Sequence, residues 1–340
     1  MATVPVISSH VLQGLPAFIR SEIGETALQR ANRAAGIDVE LIEGTNCFIP
    51  QQAVVDFVHA VGKAAGEPHL GLLIAPSMNA GDYGSFGRYV FGADTLGHAI
   101  KRSIAALRYH STYDKLSITT SADEAKYSYA FASAGAKGYP TVASAAAGEL
   151  LSLFRAYLPE NWRPIRVELD IEAPRQISLF EDTFQCPVHF NAPAVAVVFE
   201  RRHLMAGSTR TSTSRPVMTI EDVARDWPDG APRSLLGVTI EQIRTQVLTG
   251  SVLIDDIARS MDTSVRTLQR ELHRAGTDFR SLTSAVRTQR ATELLRHTGG
   301  SITHISAELG YSSPAGFTRA FRKVTGIGPR EFRTSKRDGS

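Results

Sequence analysis

Ile302-Thr-His-Ile305-Ser306-Ala-Glu-Leu309-Gly310-Tyr-Ser-Ser313-Pro-Ala-Gly-Phe317-Thr-Arg319-Ala-Phe321 is the second copy of a repeated pattern. The first copy is Ile254-Asp-Asp-Ile257-Ala258-Arg-Ser-Met261-Asp262-Thr-Ser264-Val-Arg-Thr-Leu268-Gln-Arg270-Glu-Leu272. Ile257, Met261, Leu268, Arg270 and Leu272 align with Ile305, Leu309, Phe317, Arg319 and Phe321, with one extra residue in the second turn. Each copy holds the parts of a helix-turn-helix. Ala258 or Ser306 is small where a second helix must cross closely. Asp262 or Gly310 tolerates the positive φ of a tight turn. Ser264, or Ser313 followed by Pro314, starts the next helix as a cap. Leu268 and Leu272, or Phe317 and Phe321, share its inward face at i, i+4.

The residues left outward are the candidates for contact with a partner. In the first copy they are Arg266, Thr267, Gln269, Arg270 and His273. In the second they are Ala315, Gly316, Thr318, Arg319, Arg322 and Lys323. Arg and Gln bond bidentately to guanine and adenine edges in the major groove. Arg322 and Lys323 come late in their helix, where phosphates are the expected partners. One such pattern also fits a plain helical bundle with a polar surface; two matched copies point to a DNA-binding domain. A helix over 279–297 joins the units and should be about 28 Å long. Successive major grooves on one face of B-DNA lie about 34 Å apart, so one chain could read two of them.

The stretch from Ile302 through Gly310, Tyr311, Phe317, Arg319, Phe321, Arg322, Lys323, Gly326, Pro329 and Phe332 to Arg333 resembles the signature of the AraC/XylS regulators, and the likeness runs over about 236–333. The resemblance implies double-stranded promoter DNA as partner. It places base contacts at Arg266, Gln269, Arg270, Thr318 and Arg319. Two departures are visible: Ser306 stands where the family usually has alanine, and Pro314-Ala315-Gly316 gives the second reading helix few polar groups.

Outward from this module the composition changes. Residues 251–340 carry 15 Lys/Arg against 9 Asp/Glu, an excess of +6, whereas the whole chain is only +3. The first 250 residues are therefore net acidic, and only the C-terminal part is expected to meet a polyanion. A hydrophobic content of 43% over 340 residues supports two cores. Gly207-Ser-Thr-Arg-Thr-Ser-Thr-Ser-Arg-Pro216 reads as a linker, and Trp227-Pro-Asp-Gly-Ala-Pro232 as a second loop. The expected layout is an α+β sensing and dimerisation domain over 1–206, a linker over 207–234, and an all-α double helix-turn-helix domain over 235–335.

In the first domain, apolar spacing predicts helices over 17–35, 50–65, 96–113, 141–158 and 177–184. Alternation predicts a hairpin of 115–120 with 126–133 around Ser121-Ala-Asp-Glu124, and strands at 165–171, 188–190 and 195–199. A short helix is expected within 217–226. In the second domain, helices fit 235–249, 252–260, 265–274, 279–297, 302–309 and 314–324.

Gly81-Asp82-Tyr83-Gly84, Asn161-Trp162-Arg163-Pro164 and Cys186-Pro187-Val188-x-Phe190-x-Ala192-Pro193 resemble the arabinose-binding-type sensing domain of the ornithine-regulator and VirS-like branch. That resemblance implies a small-molecule effector and a homodimer. Tyr83, Phe86, Tyr89 and Phe91 are either walls of its pocket or packed core, and Arg88 would meet an acidic ligand group.

The remaining motifs argue against chemistry. Gly62-Lys63 lacks the upstream glycine of a phosphate loop. No His pair has zinc spacing and no Gly-x-Ser-x-Gly occurs, so no cofactor, metal or catalytic residue is expected. A DNA-repair enzyme fused to this module is the alternative; it needs a nucleophilic Cys beside clustered metal-binding Cys, and Cys47 and Cys186 stand apart. Two scattered cysteines fit a reducing cytoplasm, with a redox pair as the other reading. No run of about 18 apolar residues is present and the start does not read as a signal peptide. The expectation is a cytoplasmic, effector-responsive activator that also engages RNA polymerase.

Overall fold

The computed structural model describes residues 3–208, 218–225 and 227–334. The chain divides into two compact units, Val4–Arg233 and a unit that begins at Ser234.

The first unit is α+β. Its helices are α1 (Leu15–Glu22), α2 (Glu25–Ala35), α3 (Val39–Ile42), α4 (Gln51–Ala65), α5 (Leu70–Ile74), α6 (Gly84–Phe91), α7 (Leu96–Ala106), α8 (Tyr139–Arg155), α9 (Ile177–Phe184) and α10 (Ile220–Ala224). Strands β1 (Val6–Ser8) and β2 (Phe48–Pro50) form an antiparallel pair. A five-stranded sheet is built from β3 (Lys115–Thr120), β4 (Glu124–Ala130), β5 (Arg166–Glu168), β6 (Val188–His189) and β7 (Val195–Glu200), in the order β3-β4-β7-β5-β6. Its pairs are antiparallel except β5–β6.

Alternation in β4 explains the sheet's two faces. Ala125, Tyr127 and Tyr129 point into the core, and Lys126 points out. On that outer face Glu168 receives Lys126 Nζ and Arg166 Nε at 3.0 Å each, and the two cations hold its carboxyl below the usual range against the opposing effect of burial. Helix α8 packs on the inner face. Its small residues bring backbones together: a Cβ at Gly148 would lie 2.1 Å from the Ala75 carbonyl oxygen. A second core, with Leu28, Ile42, Phe57 and Val61, lies among α1 to α4.

Several boundaries differ from the sequence reading. The helix expected over 17–35 breaks at Gly24, whose φ of 113° no helix accepts, into α1 and α2. The helix over 96–113 ends at Ala106 and tightens into a 3-10 turn at Leu107–Tyr109. Pro50 is the N-cap of α4 and the last residue of β2, not a first-turn residue. The 207–234 stretch is more than a connector. Residues 209–217 lie outside the described residues, but beyond them Trp227 packs edge-on against Phe48 at 4.8 Å, and Tyr113 bonds the Arg233 carbonyl at 3.0 Å.

The second unit is helical throughout its described residues: α11 (Leu235–Leu248), α12 (Ile254–Ser260), α13 (Val265–Arg274), α14 (Phe279–His297), α15 (Ile302–Glu308), α16 (Pro314–Thr325) and α17 (Pro329–Thr334). Bounds for α13 and α14 coincide with the periodicity, because Ser264 and Asp278 cap them through side-chain bonds to Thr267 N and Ser281 N.

Candidate nucleic-acid interface and sensing cavity

Helices α12 and α13 form the first helix-turn-helix, α15 and α16 the second. The turns carry the same bonds. Asp262 N donates to Arg259 O at 3.0 Å and Thr263 N to Ala258 O at 2.9 Å. Gly310 N donates to Ala307 O at 2.9 Å and Tyr311 N to Ser306 O at 3.0 Å. Both turn residues have positive φ, 48° at Asp262 and 72° at Gly310, as a left-handed helix C-terminus requires. Ala258 and Ser306 are buried at the crossing. The Ser306 hydroxyl has no hydrogen-bond partner there, which gives the departure from alanine a small energetic cost.

The inward faces are buried as the spacing predicts: Leu268 and Leu272 in α13, Phe317 and Phe321 in α16. In the second unit these rings extend a ladder, Tyr311–Phe317–Phe321–Phe332, with centroids 5.4 to 5.7 Å apart. Arg287 and Arg296 of α14 cover its two ends, over Tyr311 and Phe332. The aromatic signature is thus a packing device that seats α16 on α14.

The outward residues are displayed as expected. Arg266, Gln269, Arg270 and His273 are exposed on α13, with Thr267 half-buried. Thr267 Oγ1 accepts from the capping Ser264 hydroxyl at 3.0 Å. Arg270 Nε rests 3.3 Å from Glu271, a contact it must exchange to reach a base. On α16, Ala315, Arg319, Arg322 and Lys323 are exposed, while Thr318 is half-buried and donates its hydroxyl to Pro314 O at 2.8 Å. Arg280 and Arg287 were not singled out in the sequence. They line, with Arg319 and Lys323, a groove of about 880 Å³ between α14 and α16. Their signal was available as two basic residues on the connecting helix, but only packing shows that they share a groove with the second reading helix.

In the first unit the sequence-derived pocket residues separate. Residues 84–91 form α6, so Arg88, two positions and about 200° beyond Phe86, falls on the opposite side and is exposed. Tyr89 is half-buried and has Arg102 over its ring at 5.0 Å. Neither lines the internal cavity. Phe86 and Phe91 do line it, together with Ser103, His110, Tyr127, Tyr129 and Glu149, and the space is about 30 Å³. Tyr83 is buried beside it, stacked on His110 at 5.4 Å. His110, Tyr127 and Glu149 carry no local motif. They come from three elements distant in sequence and were not legible.

The family of the chain follows from two matches. Residues 26–207, more than half the chain, match the arabinose-binding N-terminal domain of AraC transcription regulators, and residues 257–335 match a helix-turn-helix domain. The chain belongs to the AraC family. It joins an N-terminal domain of the arabinose-binding type to a C-terminal helix-turn-helix domain. Among its relatives, the ornithine utilization regulator of Pseudomonas aeruginosa is 22% identical over 312 residues, 88% of each chain. An uncharacterised HTH-type transcriptional regulator of Mycobacterium tuberculosis is 38% identical over 77 residues, 23% of this chain and 22% of that protein. The chain thus spans about a fifth of the length of that mycobacterial relative. Among solved structures, the transcriptional regulator CdpR from P. aeruginosa is similar, with a TM-score of 0.42 and 21% identity over 91% of this chain and 97% of that one.

Proposed function

We propose that this AraC-family protein is an effector-responsive activator that reads promoter DNA with α13 and α16. The observation that carries the reading is the pair of matched helix-turn-helix units, each with an exposed Arg on its second helix. Arg266, Gln269 and Arg270 are assigned to base edges, with Thr267 and His273 flanking them. Thr318 and Arg319 are assigned to the second groove, where Ala315 allows close approach. Arg322 and Lys323 are assigned to phosphates.

The protein acts as a homodimer in the cytoplasm and engages RNA polymerase from its promoter site. Sensing and reading are placed in separable domains with the boundary near residue 234. No catalytic role is assigned to any residue. Burial pushes the Cys186 thiol up to about 11, the opposite of an activated nucleophile. No helix among the described residues is long and apolar enough to cross a membrane.

Footprinting of the full chain on its upstream intergenic region tests the reading. Two protected major grooves one helical turn apart are expected for each protomer. Protection that does not depend on sequence would reduce the protein to a non-specific binder.

A further inference from the structure

The effector reading leaves the ligand's chemistry open, and the cavity of the first unit narrows it. Three features converge there. First, no Lys or Arg is among the walls, while Glu149 of α8 is. Asp114, the other acid whose charge acts on Glu149, is occupied, accepting from Gln51 Nε2 at 2.9 Å, Tyr129 Oη at 2.8 Å and Ala132 N at 2.8 Å. Second, two polar atoms beside Glu149 are left over. His110 is 2% exposed and lines the cavity, yet its Nε2 has no hydrogen-bond partner. The Tyr83 hydroxyl, 3% exposed, turns its O–H toward Glu149, and its oxygen receives no donor. Third, the remaining surface is aromatic and aliphatic, from Phe86, Phe91, Tyr127 and Leu150.

A buried acceptor without a donor is uncommon and calls for an explanation. A carboxylate and an imidazole nitrogen in the wall, with a phenol oxygen just behind it, are three acceptors once the His110 proton sits on Nδ1. Aromatic faces attract cations in addition. An ammonium group has three N–H donors and one positive charge.

We propose that this cavity binds the head group of a small aliphatic primary amine, with Glu149 as counter-ion and His110 Nε2 and Tyr83 Oη as the other acceptors. The assignment rests on the effector reading of this domain. A space of about 30 Å³ fits the head alone, so an alkyl tail must displace an apolar wall. That displacement is what would report binding to the rest of the domain.

The charge state makes the proposal sharp. Burial, reinforced by Asp114 and opposed by Tyr83, pushes the Glu149 carboxyl up to about 7. His110 is pushed down to about 3 by burial and by His10, so it stays neutral, and its Nε2 accepts in the tautomer that carries the proton on Nδ1. Tyr127 and Tyr129 are raised and remain phenols. The empty site therefore holds a proton on Glu149 below neutrality, and the ammonium must expel it. Affinity should rise about tenfold from about pH 6 to about pH 8 and level off above, with proton release on binding.

The test is thermal unfolding of the full chain with n-propylamine, 1-propanol or propionate across that pH range. Propylamine alone should raise the midpoint, saturably and more strongly at the higher pH. Glu149→Gln should abolish the shift, and because that variant could fail to fold, the pH profile and ligand series of the unsubstituted protein stand as independent readouts. Stabilisation by propionate or propanol equal to that by propylamine overturns the amine assignment. So does an amine shift that ignores pH, or no shift with any of the three. The effector reading itself is judged separately, by whether Val90→Phe, which narrows the cavity, uncouples promoter activation from growth conditions while DNA binding persists.

Discussion

The first helix-turn-helix turns on Asp262 and the second on Gly310, with the same two backbone bonds and different surroundings. Asp262 is exposed. A Cβ at Gly310 would stand 1.9 Å from the Gly250 carbonyl oxygen, so the second turn is pressed against the segment after α11. The interiors differ too. Unit one closes over two leucines, and unit two over four rings in tilted and edge-on contact that reach α17. The outer faces differ in the reverse sense. Helix α13 presents Arg266, Gln269 and Arg270, whereas α16 opens with Pro-Ala-Gly and keeps its charges late. The comparison separates two surfaces: the second unit is packed firmly on the connecting helix, and the first displays the more polar outer face, to which we assign the reading.

The comparison breaks most visibly at the turns. Gly310→Val adds a side chain where backbone already sits and at positive φ, and should destabilise the second unit by about 3 kcal/mol or more. Asp262→Gly relieves a non-glycine left-handed residue and should stay within about 1 kcal/mol. Urea denaturation followed by far-UV circular dichroism compares the two; equal losses would mean that the segment at Gly250 yields to a side chain without strain.

Readout comes next in size. Arg266→Ala or Arg270→Ala should weaken the specific site by about 1–3 kcal/mol and relax its sequence preference. Arg270→Ala is expected at the lower end, because its pairing with Glu271 offsets part of the gain. Gel-shift titrations on specific and random duplexes decide this: losses of the same size on both would move these arginines to phosphate.

Capping sharpens the comparison further. Ser264→Ala should cost about 1 kcal/mol, through the lost bond to Thr267 N. Ser313→Ala should cost less, because Pro314 lacks an N–H and leaves one donor fewer at that helix start. Thermal midpoints of the paired variants test the order, and the reverse order would discount the proline.

The smallest effect expected is at Arg322. Arg322→Ala should weaken all sequences alike and lower the salt slope of binding by about one. Scrambling the half-site under α16 should likewise weaken binding less than scrambling the one under α13. A larger penalty under α16 inverts the ranking of the two units.

Local chemistry explains which features could be read without a structure. Helices α13 and α14 were bounded correctly because their caps are side chains acting on their own backbone three residues on. The β3–β4 hairpin was legible because alternation and a polar turn are local signals. Helix α6 was not, since Gly84 and Gly87 interrupt the pattern; both are there for close approach, Gly84 to His10 and Gly87 to the Ala80 carbonyl. Without that helix, the spacing does not show that Arg88 lies on the side opposite Phe86.

By itself, then, the sequence determined the double helix-turn-helix, the order of an α+β domain before an all-α one, and the residues that face outward on α13 and α16. These depend on spacing, caps and turns, all settled within about a dozen residues of chain. Tertiary structure alone decided that Phe317, Phe321 and Phe332 form one ladder with Tyr311, that Arg280 and Arg287 join Arg319 in one groove, and that His110, Tyr127 and Glu149 meet around a cavity. Those groups are brought together by the burial of apolar faces on separate elements, and burial of that kind leaves no periodic trace in the residues that happen to lie between.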